Sequence, residues 1–333
     1  MSIHPLWPHL LVLDFPYGRW LTFAVIFAVL YLIFYLAGSL DAGDGSATPY
    51  FFCFVIAYLI PASHYISRHT LEAFSSIKPS LSLPLNDLDE TEKSLQGTTI
   101  STQIRIFCLG SIAGLTHIYF LLTVEGEFLK TLSSIGIDTG VLLLAILFIW
   151  SLLSCVITFL IGNVEVFARL ARDNVRIDLL DTSNLHGFSR VAVYSTLLLL
   201  GALVAFPLLL IGDNTTWISV VPGFLGVFLP MVYIFLMPIL PIKKRVKLAK
   251  LKELDLIQLQ INQLASTGKS LAEDSEKLSS LLPLLEYKRE IRQVAEWPFD
   301  SPALLRLLFY LLIPPLTWVG AALIERLVDK LSL

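Results

Sequence analysis

Residues 242–265 read IKKRVKLAKLKELDLIQLQINQLA, and this stretch decides how the rest of the chain is organised. Ile242, Val246, Ala249, Leu254, Ile257, Ile261 and Leu264 recur at spacings of three and four with one skip. Leu248, Leu251, Leu256 and Leu259 form a second stripe, so the stretch is a helix with two apolar faces. It is too polar to cross a bilayer. At 1.5 Å per residue it is about 36 Å long. Six basic residues, from Lys243 to Lys252, crowd its first half. Such a cluster beside an apolar run anchors a cytoplasmic membrane face and attracts anionic lipid. Without interleaved aromatic residues it has no nucleic-acid signature.

Outward from this helix, the C-terminal side reads as a return. Gly268 closes the helix, and Ser270 with Glu273 makes an S-x-x-E capping box that opens a second one. Pro283 is expected to divide that second helix. Residues 242–302 therefore form a cytoplasmic helical hairpin, with Ile257, Ile261 and Leu264 as the candidate assembly face of a homo-oligomer. Residues 303–333 hold a last span and a short external tail. Ser301 and Pro302 open that span, and Pro314–Pro315 interrupts it.

The N-terminal side, 1–241, is overwhelmingly apolar. Hydrophobic residues are 55% of the chain and charged residues 15%, against about 25% charged in soluble domains. The mean hydropathy is +0.73. Six spans are expected there, at 20–40, 50–66, 104–124, 141–162, 191–211 and 217–240, the last broken by four prolines. Residues 1–19, with Trp7 and three prolines, read as an interfacial approach segment. Arg68 and Glu72 sit at i,i+4 on an extension of the second span beyond the bilayer. Arg169, Arg172 and Arg176 do the same for the fourth. The Ser-, Thr- and acid-rich part of 67–103, residues 75–99, reads as a surface loop.

The fold class is thus an all-α polytopic membrane helix bundle of seven spans carrying a cytoplasmic hairpin. Placing the N-terminus inside and the C-terminus outside puts twenty-one of the 24 Lys and Arg on one face.

No span carries Asp, Glu, Lys or Arg in its middle third, which argues against ion-coupled transport and proton pumping. Candidate cavity or gating residues are few. His117 lies beside Gly110 and Gly114, a GxxxG pair. It reads either as a pore-lining residue or as an interhelical hydrogen-bond partner at a close helix contact. Ser151, Ser154 and Thr158 share a helix face and read as a wet path or as bonds back to helix carbonyls. In the last span, Pro314 and Pro315 free backbone carbonyls that need protein or water, with Thr317 and Trp318 close by. Catalytic, cofactor-binding and metal sites are not expected. Gly268-Lys269-Ser270 resembles the end of a phosphate loop, but Gln263 stands where its first glycine belongs. Cys53, Cys108 and Cys155 lie in apolar runs and imply no disulfide framework.

Two stretches, VRIDLLD at 175–181 and EWPFD at 296–300, resemble bacterial multi-pass inner-membrane proteins to which no activity attaches. The likeness covers about the C-terminal half and implies a bacterial inner-membrane location. The order of elements is similar, in topology only, to the insect chemoreceptor channels. The function expected is non-enzymatic. It is a homo-oligomeric channel-like, sensor or scaffold protein assembled through the hairpin. The alternative is a secondary transporter of a neutral or lipophilic solute.

Overall fold

The computed structural model describes residues 4–13, 15–40, 47–124, 136–182, 185–210, 217–265, 275–295 and 297, with Phe309, Leu316 and Gly320 beyond. Eight α-helices form among the described residues: α1 (Gly18–Leu36), α2 (Thr48–Ile77), α3 (Leu85–Gln96), α4 (Ile100–Val124), α5 (Ile137–Asp173), α6 (His186–Leu203), α7 (Trp217–Ala265) and α8 (Ser275–Gln293). Six of these, all but α3 and α8, are long and apolar enough to cross a bilayer. The chain is an all-helical, multi-pass membrane protein. The expected seventh span falls outside the described residues.

α2 is the centre of the bundle. It touches α1, α3, α5 and α6, and two thirds of its most apolar window is buried. α1 packs chiefly on α2, while α4 lies against α5 and α7; both keep most of their surface for lipid. Small residues set the close seams. A Cβ on Gly187 of α6 would stand 2.4 Å from Ile77 Cγ2 and 2.7 Å from the Ala73 carbonyl. Gly201, farther along α6, faces the Tyr58 hydroxyl in the same way. In lipid, where apolar burial gives helices no preference for one another, such contacts are what association rests on.

α2, α5 and α7 exceed the roughly 20 residues a bilayer needs, and their excess is tied together at one pole. Leu81, just past α2, pairs with Val175, just past α5. The Arg176 amide donates to the Ser80 carbonyl at 2.7 Å, and the Ser82 amide to the Asn174 carbonyl at 2.8 Å. Arg245 of α7 donates to the Val175 carbonyl at 2.9 Å. Arg176 is therefore part of this extended clasp, because α5 stops at Asp173, and it does not continue the series of Arg169 and Arg172 on the helix.

Four further features depart from the sequence reading. The surface loop expected at 75–99 contains α3, whose Leu95 is fully buried and whose Leu88 packs on the core. Its apolar residues are few but fall on one face, enough for a helix that only has to lean on α2 and α5. The four prolines do not break α7: Pro222, Pro230, Pro238 and Pro241 all lie inside a single helix of 49 residues. No boundary in the helix divides residue 241 from residue 242. Pro283 likewise lies within α8. Glu72 pairs with His69 Nδ1 at 2.7 Å, so it is not tied to Arg68.

The N-terminal segment is built into the bundle. His4 and Thr98 exchange backbone hydrogen bonds of 3.0 Å. The Gln103 amide accepts from the Trp7 backbone at 3.0 Å and donates to the Pro5 carbonyl at 3.0 Å. A short 3-10 turn, Trp7–Leu11, then drives the Trp7 ring against Phe107 and Phe148 and buries His9 between His64 and Phe159.

Candidate ligand-binding cavity

Of the expected cavity residues on α4 and α5, His117, Ser151 and Ser154 lie at the seam between the two helices. His117 Nδ1 accepts from Trp150 Nε1 at 3.0 Å. Ser111 and Ser151 share a hydroxyl hydrogen bond of 2.9 Å, and Ser151 also donates to the Leu147 carbonyl at 2.8 Å. A Cβ on Gly110 would fall 2.6 Å from Ser151 Cα and 2.8 Å from Ser154 Oγ; one on Gly114 would come within 3.2 Å of Leu147 Cα. Ser111 with Ser151, and His117 with Trp150, are thus paired across a helix contact too tight for a side chain. Thr158, one turn farther along α5, is exposed on the outside of the bundle while Ser151 is buried. Pro314, Pro315, Thr317 and Trp318 lie outside the described residues.

A cavity of about 620 Å³ opens elsewhere, between α1, α2 and α6. Its volume is within the range of small-molecule sites. One stripe of α2 forms its back wall: Phe54, Tyr58, Pro61, Ala62 and Tyr65 succeed one another at helical spacing. α1 contributes Arg19, Trp20 and Phe23, and α6 contributes Tyr194, Leu197 and Leu198. The walls hold one another by ring contacts. Phe23 meets Phe54 edge-on at 6.0 Å, and Phe54 stacks on Tyr58 at 6.0 Å. Trp20 stands at the lipid-facing rim, 76% exposed. From Phe54 to Tyr65 the back wall runs about 16 Å along the helix axis, roughly half the hydrocarbon thickness of a bilayer.

At the pole where the N-terminal segment is inserted, this cavity meets a second hollow of about 260 Å³ with which it shares Pro16 and Arg19. Here the lining changes character, because Arg68 and His64 join Arg19. Arg19 holds its guanidinium 4.8 Å from the centre of the Tyr65 ring, a cation–π contact that fixes it at the junction. Among the described residues no carboxylate pairs with Arg19 or Arg68. His9 lies beneath, its ring 5.4 Å from that of His64. Burial, and then the neighbouring His64, hold the His9 pKa down at about 4, so it is neutral at physiological pH.

A third hollow, of about 560 Å³, lies on the other side of the N-terminal turn between α4 and α5. Among the described residues its lining, which includes Ile104, Phe107 and Phe148, contains no Lys or Arg.

The sequence contained a signal for the first cavity that span counting passes over. Phe54, Tyr58, Ala62 and Tyr65 put aromatic or small residues on one face of the second span, and Arg68 follows three residues after Tyr65. Arg19 and Arg68 count equally well toward an ordinary cytoplasmic rim, and only the fold brings them together. No family of proteins, no curated protein and no solved structure matches the chain.

Proposed function

We propose that this protein is a non-enzymatic membrane carrier that takes a lipophilic solute sideways from the bilayer into the groove between α1, α2 and α6. Its basic pole, with the N-terminus and the α7–α8 hairpin, faces the cytoplasm. The observation that carries the reading is the 620 Å³ cavity, aromatic-walled and edged by an exposed Trp20. In the α4–α5 seam, Ser151 shares a hydrogen bond with Ser111, and His117 accepts one from Trp150. The orientation is supported by the gathering of Lys and Arg at one pole.

The experiment is transfer of a fluorescent lipophilic solute, and potassium flux, in liposomes containing the full chain. Ala62→Trp, which fills the cavity, should abolish saturable solute transfer, and potassium flux should equal that of empty liposomes. Potassium flux indifferent to Ala62→Trp would replace this reading with the channel-like one. One observation keeps that second reading: Leu248, Leu251, Leu256 and Leu259 leave an exposed apolar stripe on the hairpin, as an oligomer would need.

A further inference from the structure

The two hollows that share Arg19 differ in chemistry, and the difference selects among lipophilic ligands. The larger is walled by aromatic and aliphatic side chains over about 16 Å of depth, a slot for hydrocarbon. The smaller presents two guanidinium groups and one imidazole and, among the described residues, has no carboxylate in its lining. A neutral lipophile gains nothing from the second hollow. A cation is repelled by it, and a zwitterion leaves its own positive charge unmatched there. A phosphate joined to an acyl chain satisfies both hollows at once. Guanidinium groups bind phosphate through paired N–H donors, and among the described residues no carboxylate pairs with Arg19 or Arg68.

We infer that the paired hollows bind a bilayer phospholipid of net negative charge, one acyl chain lying between α1, α2 and α6 and its phosphate held between Arg19 and Arg68. This rests on the reading of the larger hollow as a lipophile site and adds the class of headgroup. It is distinct from the attraction of anionic lipid to the Lys-rich start of the α7 extension. The His64 imidazole lines the same headgroup hollow.

Trp20, at the rim, is the reporter. The full-length protein is reconstituted in vesicles of phosphatidylcholine doped with either phosphatidylglycerol or phosphatidylcholine brominated along the acyl chains. The Trp20 signal is obtained by subtracting the Trp20→Phe variant. Brominated phosphatidylglycerol should quench Trp20 about fivefold more effectively per mole than brominated phosphatidylcholine, the gain expected from two partly exposed charge contacts. Arg19→Gln with Arg68→Gln should bring the two lipids level. Arg19→Lys with Arg68→Lys should keep most of the preference and shows that the helices still assemble. Lys243→Gln with Lys244→Gln and Lys247→Gln should leave it untouched.

Equal quenching by the two lipids in the wild type overturns the anionic headgroup and leaves the carrier reading standing; no Trp20 quenching by either lipid overturns both. A preference lost in Lys243→Gln with Lys244→Gln and Lys247→Gln but kept in Arg19→Gln with Arg68→Gln assigns it to the basic pole at large and overturns the site. Displacement by millimolar inorganic phosphate alone overturns the lipid as occupant. A preference that emerges only in Asp14→Asn means that this acid, outside the described residues, already neutralises the arginines, and it too overturns the proposal.

Discussion

His9 shows how much one buried side chain can demand. It is 8% exposed, lies between His64 and Phe159, and among the described residues its Nε2 has no hydrogen-bond partner. Its folded pKa of about 4 lies below the 6.5 of a free imidazole. Above pH 6.5 both the docked and the undocked N-terminal segment hold it neutral, and docking is at full strength. As the pH falls from 6.5 towards 4, only the undocked segment takes up the proton. Docking then weakens by about 1.4 kcal/mol per pH unit, to a total of about 3 kcal/mol. Hydrogen exchange of residues 4–11 should therefore quicken between pH 6.5 and 4.5 in the wild type, and stay level in His9→Phe beyond the intrinsic pH dependence. The same pH dependence in both proteins would remove His9 as its origin. Nothing in the sequence marked His9 for burial. Trp7 and the prolines around it suit a headgroup layer equally well, and it is Gln103, ninety-six residues on from Trp7, that pins the segment inward.

Among the elements, the hairpin is where sequence and structure divide the work most clearly. The sequence offered two apolar stripes on residues 242–265 without saying which one the return helix would cover. The structure turns Ile257 inward, 2% exposed, together with Ile291 of α8, while Leu259 stays 58% exposed. Polar bonds lock the pair: Tyr287 donates to Glu253 at 3.1 Å, and Lys250 reaches the Arg292 and Val294 carbonyls at 2.8 Å. Partial burial, and then the Glu253 carboxylate, push the Tyr287 phenol upward and keep it a donor. Ile257 thus belongs to the inside of one hairpin, and the outer leucines are what a neighbouring subunit could meet. Leu256→Glu with Leu259→Glu should reduce the mass of a hairpin-built oligomer in detergent, measured by light scattering. Each change should cost the single chain no more than about 0.5 kcal/mol, since both sites are exposed. An unchanged mass with helicity retained would take the hairpin out of assembly. Reading the prolines as breaks failed for a related reason. A proline removes one backbone bond and crowds the preceding turn, yet a helix held along its length by α5 and α6 keeps its course.

Over the whole molecule, charge placement gave the pole at which the long helices meet, because the cost of moving Lys and Arg through lipid is large and independent of how helices pair. That pole is built as one unit: the clasp at Val175, α3, the inserted N-terminal segment and the hairpin all gather there. A phosphatase fused within residues 41–46, between α1 and α2, should be active in a bacterial host, and one fused at Asn86 of α3 inactive. The reverse pattern would invert the orientation. The number of spans before the hairpin was legible because each needs some 20 apolar residues. The cavity was not, because it depends on which helices become neighbours, and apolar composition does not specify partners within a bilayer.

The unbroken course of α7 makes it a lever. It packs on α6, which supplies a wall of the cavity, and continues for about 36 Å past residue 241 with no joint between the two parts. A tilt of about 5° at the wall would swing the far end of that arm by about 3 Å. Displacements too small to notice inside the bilayer are thus magnified at the far end of the arm, where the outer leucines of the hairpin are carried along with it.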